Sequence, residues 1–304
     1  MSNTVQTHMP ELALALTCKG SLARLATLAA PTLASCLAQL QVPLAHGLRA
    51  ISSRRIERIH LGNEFCERLL PTVVELRDAM DTLSQQRLAL TLVTPMLTDA
   101  GMRRLTPLLA LLPDGCEVVV NDWGTRQRMT AYPALVPVLG RLLNKMIKDP
   151  RLPSPQWSAL HPHQGQSAHF QRFMDHQGIS QVEMDVPPFA HAEQFNSGRL
   201  GLSVHLPYGY AVKGRMCRIG SLGLPDEQRF SAGHGCHKEC LSYWAEVERE
   251  GPCSAAELSG FQRGNTQFYR HSRAMSEALD AALARGWVNR LIVAGDWHEH
   301  HHTA

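Results

Sequence analysis

The sequence predicts an α/β fold, a TIM-barrel-like parallel barrel with an extra N-terminal helical segment, and three observations carry that expectation. Strand-like and helix-like runs alternate from Ile56 to Val120, and strand–helix–strand units in succession close by right-handed crossovers into a parallel sheet. A chain of 304 residues, 44% hydrophobic and 19% charged, has the length and the apolar content for a barrel. Residues able to do chemistry (Cys66, Thr94, Asn121, Asp122) follow the ends of the strand runs, where parallel barrels place their sites, so they are expected on one rim.

Taken in order, residues 1–50 read as an N-terminal helical extension. Between Leu12 and Ile56 there is no Asp or Glu, while Lys19, Arg24, Arg49, Arg54 and Arg55 are present. A basic Ala/Leu-rich helix packs one face on its own domain, or lies on an acidic lipid surface or a partner. The most apolar stretch, Leu25 to Leu40, is broken by Thr, Ser, Gln and Pro31 and is too short and polar to span a bilayer.

Residues 51–297 form the expected barrel domain. Ile56 to Leu61, β-branched at its core and ended by Gly62, reads as a strand. Leu69 to Leu83 has helical spacing, Leu88 to Val93 is a strand closed by Pro95, and Met102 to Leu112 is a helix. Glu117 to Val120 is a strand ending at Asn121-Asp122-Trp123-Gly124, and residues 150–166, rich in Pro, His and Gln, read as a loop. A helix (Ala168 to His176) and a strand (Gln181 to Met184) follow, then a strand from Leu200 to Leu206, a helix from Met275 to Ala284 and a strand from Arg290 to Ala294. Residues 298–304 are a His-rich tail, of a kind that binds divalent metal loosely.

The net charge of +3 comes with no basic tract able to track a phosphate backbone, so no nucleic-acid partner is expected. Eight cysteines without the dense spacing of a small secreted scaffold, and without a secretory signal, suggest a reducing, cytoplasmic setting and metal rather than disulfides. Cys236 and Cys240 enclose three residues, and Cys217 lies upstream. A fourth ligand must come from elsewhere, and Cys66, just past a strand end, is the candidate. Four thiolates suit a 4Fe–4S cluster and also tetrahedral zinc, for which His234 and His237 are further ligands. Ordinary buried thiols are the third reading. Cys18, Cys36 and Cys116 read as small core hydrophobes, and Cys253 as a substitute ligand.

Beside these stand candidate catalytic residues. Asn121 and Asp122 orient a substrate or simply make a strand-end turn, and Asp185 has a similar position. His205 and Tyr208, with Tyr210, flank the way into Cys217 and are placed to move protons or stack on an aromatic substrate. Lys213 and Arg215 offer positive charge near the sulfurs, and Arg263, Asn265 and Tyr269 another wall. No Gly-x-Ser-x-Gly elbow is present, and the one His-Glu-x-x-His match, His298 to His302, belongs to the His-rich tail.

Several of these segments together resemble the collagenase-like U32 peptidase family, and in particular its iron–sulfur branch, which includes proteins of oxygen-independent ubiquinone biosynthesis. Ile59-His60-Leu61-Gly62-Asn63-Glu64-Phe65-Cys66 resembles the family's first strand and cluster cysteine, and Val119 to Gly124 its strand-end Asn-Asp motif. Leu139 to Lys145 followed by Asp149-Pro150-Arg151, Cys217 with Cys236-x-x-x-Cys240, and Arg263-Gly264-Asn265-Thr266 complete the likeness, which runs from residue 56 to residue 272. The resemblance implies a barrel-like fold, a 4Fe–4S cluster on Cys66, Cys217, Cys236 and Cys240, and redox chemistry of the oxygen-independent hydroxylation type. Without an added RNA-binding domain, a quinone-like aromatic substrate is favoured over RNA. Paired members of that branch imply a paralogous or hetero-oligomeric partner. A non-catalytic cluster-binding subunit or electron relay, and a peptidase, are the alternative roles.

Overall fold

Alternation along eight short strands sends one set of side chains outward to a shell of helices and the other into a closed barrel. The computed structural model describes residues 9–146, 156, 160, 164–229, 235–247 and 259–297. The barrel strands are β1 (Glu11–Leu16), β2 (Arg58–Gly62), β3 (Ala89–Val93), β4 (Glu117–Val120), β5 (Val136–Leu139), β6 (Gln181–Asp185), β7 (Gly201–Leu206) and β12 (Arg290–Ala294). They close in the order β1-β12-β7-β6-β5-β4-β3-β2, every pairing parallel. Between β7 and β12 the chain makes a second, antiparallel sheet from β8 (Tyr208–Lys213), β9 (Ala245–Val247), β10 (Gly260–Arg263) and β11 (Thr266–Arg270), ordered β8-β11-β10-β9. No helix among the described residues is long and apolar enough to cross a membrane.

Outward, Leu12, Leu14, Leu16, Ile59, Leu92, Val118, Met184, Val204 and Leu291 pack against helix residues such as Leu37, Leu76, Leu105 and Leu279 in one buried cluster. Those helices begin at capping side chains. Thr32 caps Leu33–Leu40, Thr72 with Glu75 caps Val73–Gln86, Thr98 caps Asp99–Leu109, and Ser272 caps Arg273–Ala284. Inward, the barrel is largely polar: His60, Thr91, Glu183, Ser203, His205 and Arg290 are all buried.

The lower end of this interior is a closed charge network. Arg290 grips Glu117 with both terminal nitrogens, each at 2.8 Å, and also donates to Glu11. Arg58 donates to the same Glu11 at 2.8 Å and to Thr91 at 3.1 Å, and Thr91 donates on to Glu117 at 2.9 Å. Burial alone would raise the Glu117 carboxyl, but the Arg290 hydrogen bonds and charge hold it below its ordinary value.

The structure corrects the expected division of the chain. Residues 1–50 are not an extension outside the barrel, because Glu11–Leu16 is its first strand, with Leu14 beside Ile59 of β2 and Ala13 beside Ile292 of β12. The run Glu-Leu-Ala-Leu-Ala-Leu reads equally well at period two, leucines outward and alanines toward the crowded interior. The helices of this region are the short Lys19–Leu25 and Leu33–Leu40, and its arginines serve the domain itself, Arg54 bonding Pro10 and Arg55 bonding Gln86. The helix expected from Leu69 starts at Val73, since Pro71 and the Thr72 cap set its entry. The strand at Val136–Leu139 goes unseen because Pro137 lies within it. The His-rich tail, with most of the 150–166 loop, lies outside the described residues.

Arg290→Met should lower stability by about 3–5 kcal/mol, since it removes the bidentate partner of the buried Glu117 and leaves it with Arg58 and Thr91. The double variant Arg290→Met/Glu117→Met should recover part of that loss, and urea midpoints measure both. The contribution of Glu117 is fully present above its ordinary pKa of 4.5 and fades as pH falls through the lowered native value. Glu117→Gln should therefore flatten the acid limb of the stability curve.

Candidate functional site

Cys66 sits where β2 leaves the barrel. Gly62 takes a φ of 125°, and a Cβ there would lie 2.3 Å from the carbonyl oxygen of Val93, so only glycine fits. Asn63 then folds the chain back, its Oδ1 accepting the N–H groups of Phe65 at 2.8 Å and Cys66 at 3.0 Å. Asn265, at the β10–β11 turn, donates to the Phe65 carbonyl at 2.9 Å and to that of Gly214 at 3.1 Å. One side chain thereby ties the Cys66 segment to the segment leading into Cys217.

The other three cysteines belong to the inserted sheet and its loops. The Gly220 N–H donates to Cys217 Sγ at 3.2 Å, and the Lys238 N–H to Cys236 Sγ at 3.4 Å. Arg263 Nε fixes the backbone of Cys240 by donating to its carbonyl at 2.9 Å. At Gly264, φ 59°, an added Cβ would stand 3.7 Å from Cys240 Sγ and 3.9 Å from Cys217 Sγ, so both sulfurs converge on this bare backbone. All four cysteines line one cavity of about 480 Å³ together with Lys213, Arg215, Met96 and Asn265. Burial pushes up the thiols of Cys66 and Cys217 and takes Cys240 to about 12, with the neighbouring cysteines adding to the rise. Cys253, His234 and Asp149-Pro150-Arg151 lie outside the described residues. Cys36 and Cys116 are buried with thiols raised to about 11, as core cysteines should be. Cys18 is half-buried beside Ser21, 3.3 Å from its hydroxyl.

A second polar centre occupies the upper barrel. Glu183 of β6 is fully buried between two rings, His60 Nε2 at 3.1 Å and His205 Nε2 at 2.9 Å. Glu64 Oε1 lies 3.9 Å from the same His205 nitrogen. Arg141 donates to Glu64 at 2.9 Å and to Asp185 at 2.6 Å, and its guanidinium stands 5.2 Å from the Phe65 ring centre and 5.9 Å from that of Tyr210. Burial would raise the Glu183 carboxyl, yet the charge and hydrogen bonds of His205 and His60 hold it far below its ordinary value; burial lowers His60.

The expected catalytic residues divide. His205 joins this centre. Asn121 spends its side chain on the barrel, donating to the Thr94 carbonyl at 2.8 Å and accepting from Leu142 N–H at 3.1 Å. Asp122 caps the helix Trp123–Met129 through Thr125. Asp122 thus makes the local turn and cap, and Asn121 ties its strand end to the neighbouring segments on either side. Tyr208 stacks on Trp297 at 5.2 Å, outside the thiol cavity. Asp185 binds Arg141, Tyr210 donates to the Arg141 carbonyl at 3.1 Å, and Tyr269 to that of Val186 at 2.8 Å. Sequence reasoning passed over Glu64, Arg141 and Glu183. Their signals were slight: Arg141 follows a strand disguised by proline, and Glu183 is one acidic residue in an ordinary strand.

No protein-family model matches the chain, and no curated protein matches it. Among solved structures it is similar to an uncharacterized B. cereus protein, at 11% identity and a TM-score of 0.37, over 96% of this chain and 62% of that one. It is also similar to the C-terminal domain of a putative chitinase from Desulfitobacterium hafniense DCB-2, at 8% identity and a TM-score of 0.38, over 96% and 95%. A third is the spore cortex-lytic enzyme SleL of Bacillus megaterium, at 10% identity and a TM-score of 0.30, over 98% and 73%. The chain spans less than two thirds of the length of the first of these.

In metal-free protein, Cys240 should react with iodoacetamide at pH 8 more than about 100-fold slower than in the urea-unfolded chain, because so little of it is thiolate. Peptide mass spectrometry of timed samples measures the ratio. Equal rates would contradict the burial described.

Proposed function

We propose that this chain is an iron–sulfur protein, holding a 4Fe–4S cluster on Cys66, Cys217, Cys236 and Cys240, and that it takes part in an oxygen-independent hydroxylation or related redox step on a quinone-type aromatic precursor. One observation carries the reading: thiols from three separate stretches of chain line a single cavity. The donor set fits the group, since four soft sulfur ligands match iron–sulfur chemistry and backbone N–H groups already point at two of the sulfurs. Among the described residues, the one group of three or more His, Cys, Asp or Glu side chains whose ligand atoms all fall within 4.8 Å is Glu64, Glu183 and His205. The described thiols form no group at that spacing.

When bound, such a cluster supplies electron transfer. The protein's own part is to hold and tune it. Lys213 and Arg215 bring positive charge to the cavity wall, which favours a reduced centre. Arg263 and Asn265 lock the backbone on either side of the thiols. A second reading, a cluster-binding subunit or relay that does not turn over substrate alone, is favoured by the structural employment of Asn121 and Asp122. The resemblance to paired family members supports a protein partner in either case.

Protein purified without oxygen should contain about four irons and four sulfides per chain, with broad visible absorption. Each of Cys66→Ala, Cys217→Ala, Cys236→Ala and Cys240→Ala should lose most of both, and Cys253→Ala should keep them. Zinc in place of iron, or no metal at all, overturns the reading. Turnover by the isolated chain would remove the relay alternative.

A further inference from the structure

The two charged layers of the barrel interior are not balanced alike. In the lower layer two arginines, Arg58 and Arg290, meet two glutamates, Glu11 and Glu117. In the upper layer one arginine, Arg141, pairs with Glu64 and Asp185, while a third carboxylate, Glu183, lies between the rings of His60 and His205; Glu183 and Asp185 are fully buried. The other ionisable groups facing this layer are His60 and His205, which touch Glu183, and His271, which senses Asp185. Excess negative charge in an interior is costly unless a cation joins it.

The carboxylates also stand in a ligand arrangement. Glu64, Glu183 and His205 each offer one atom, and these atoms lie within 4.8 Å of one another, all three residues being less than 9% exposed. His205 Nε2 is 2.9 Å from Glu183 Oε2 and 3.9 Å from Glu64 Oε1. These spacings bracket the ~3.4 Å that separates N and O ligands on a tetrahedral ion with bonds near 2.1 Å. His60, 1% exposed, aims its Nε2 at the other oxygen of Glu183 and leaves Nδ1 without a partner. It is placed to orient Glu183 from behind, as the outer partner of a ligand does. Arg141 does the same for Glu64.

We propose that Glu64, Glu183 and His205 form a second metal site, separate from the thiols, that takes one divalent transition ion of the zinc, manganese or ferrous class. Two carboxylates and an imidazole are the ligand set those ions prefer, and the absence of sulfur disfavours copper(I) or a cluster. The ion uses the Nε2 lone pair of His205, whose ring hydrogen then resides on Nδ1. One charge of +2 offsets the two carboxylates that Arg141 leaves uncompensated. Glu183 lies midway along β6, His205 near the end of β7 and Glu64 just beyond β2, so the site opens toward the face on which barrels of this kind bind their ligands. The proposal does not depend on the iron–sulfur reading.

Co²⁺ is the probe. Full-length protein, purified without oxygen, is titrated with Co²⁺ and followed by calorimetry and visible absorption. About one equivalent should bind, with the weak ligand-field bands of oxygen and nitrogen donors and no sulfur-to-cobalt charge-transfer band. Glu64→Gln and His205→Ala should each weaken binding at least tenfold, while the Cys236→Ala/Cys240→Ala variant binds as the unaltered chain does. His205→Ala should retain its iron and sulfide. Should either variant fail to fold, electron spin-echo modulation of the unaltered chain loaded with Mn²⁺ gives the answer directly, as coupling to one imidazole nitrogen. No binding, binding lost in the Cys236→Ala/Cys240→Ala variant, affinity unchanged in both Glu64→Gln and His205→Ala, or no nitrogen coupling overturns the site.

Discussion

Arg141 is the contact on which the two halves of the molecule depend. Its guanidinium spans the barrel mouth from Glu64, beyond β2, to Asp185 at the end of β6. The same group lies against the Phe65 and Tyr210 rings, and its own carbonyl accepts the Tyr210 hydroxyl. Phe65 precedes Cys66, and Tyr210 sits on the strand that leads toward Cys217. A buried guanidinium is tolerable only when its donors and charge are met. Here meeting them fixes the barrel rim, the aromatic floor (Phe65, Tyr210, Phe261, Phe268) and the approach of the inserted sheet at once. Replacing it with lysine would keep the charge and lose the fork that reaches both carboxylates.

The interior shows how a parallel barrel can be filled without a branched apolar core. Val93, Val119 and Val138 make one small apolar patch inside. Apart from Ala13 and Ile292, the remainder is mostly charge and hydrogen bond. Such packing is expensive in desolvation and gives little net stability compared with hydrocarbon. The stability of the fold therefore rests on the outer leucine shell, where the helices lie on the strands. The interior is left free for recognition and chemistry.

That division decides what could be read from the sequence. The strands from β2 to β4 were legible because their outward faces alternate or run apolar and their ends carry glycine, proline or Asn-Asp. β1 was not, because alanine and leucine favour helices intrinsically and only tertiary pairing shows the period of two. β5 was hidden by Pro137, and β8 to β11 by their long-range pairing, which joins Tyr208 to Arg270. The four cysteines were legible, since three share a short stretch and the fourth follows a strand end. The upper charged layer was not. Its members come singly from β6, β7 and the turns after β2 and β5, and no local spacing announces that Glu64, Arg141, Glu183 and His205 meet.

The insertion between β7 and β12 has a consequence for how the molecule carries force and communicates change. Three of the cavity's sulfurs ride on the insertion and one on the barrel, and Asn265 and Arg141 are the protein's own fasteners between the two. Whatever bridges Cys66 to the other three acts as a rivet through that seam. Putting it in or taking it out need not disturb the closed ring of strands, whose hydrogen bonds and leucine shell stand independently. It alters how firmly the cap is seated where Tyr210 of the insertion meets Phe65 and Arg141 of the barrel, beside the buried carboxylates Glu64 and Asp185.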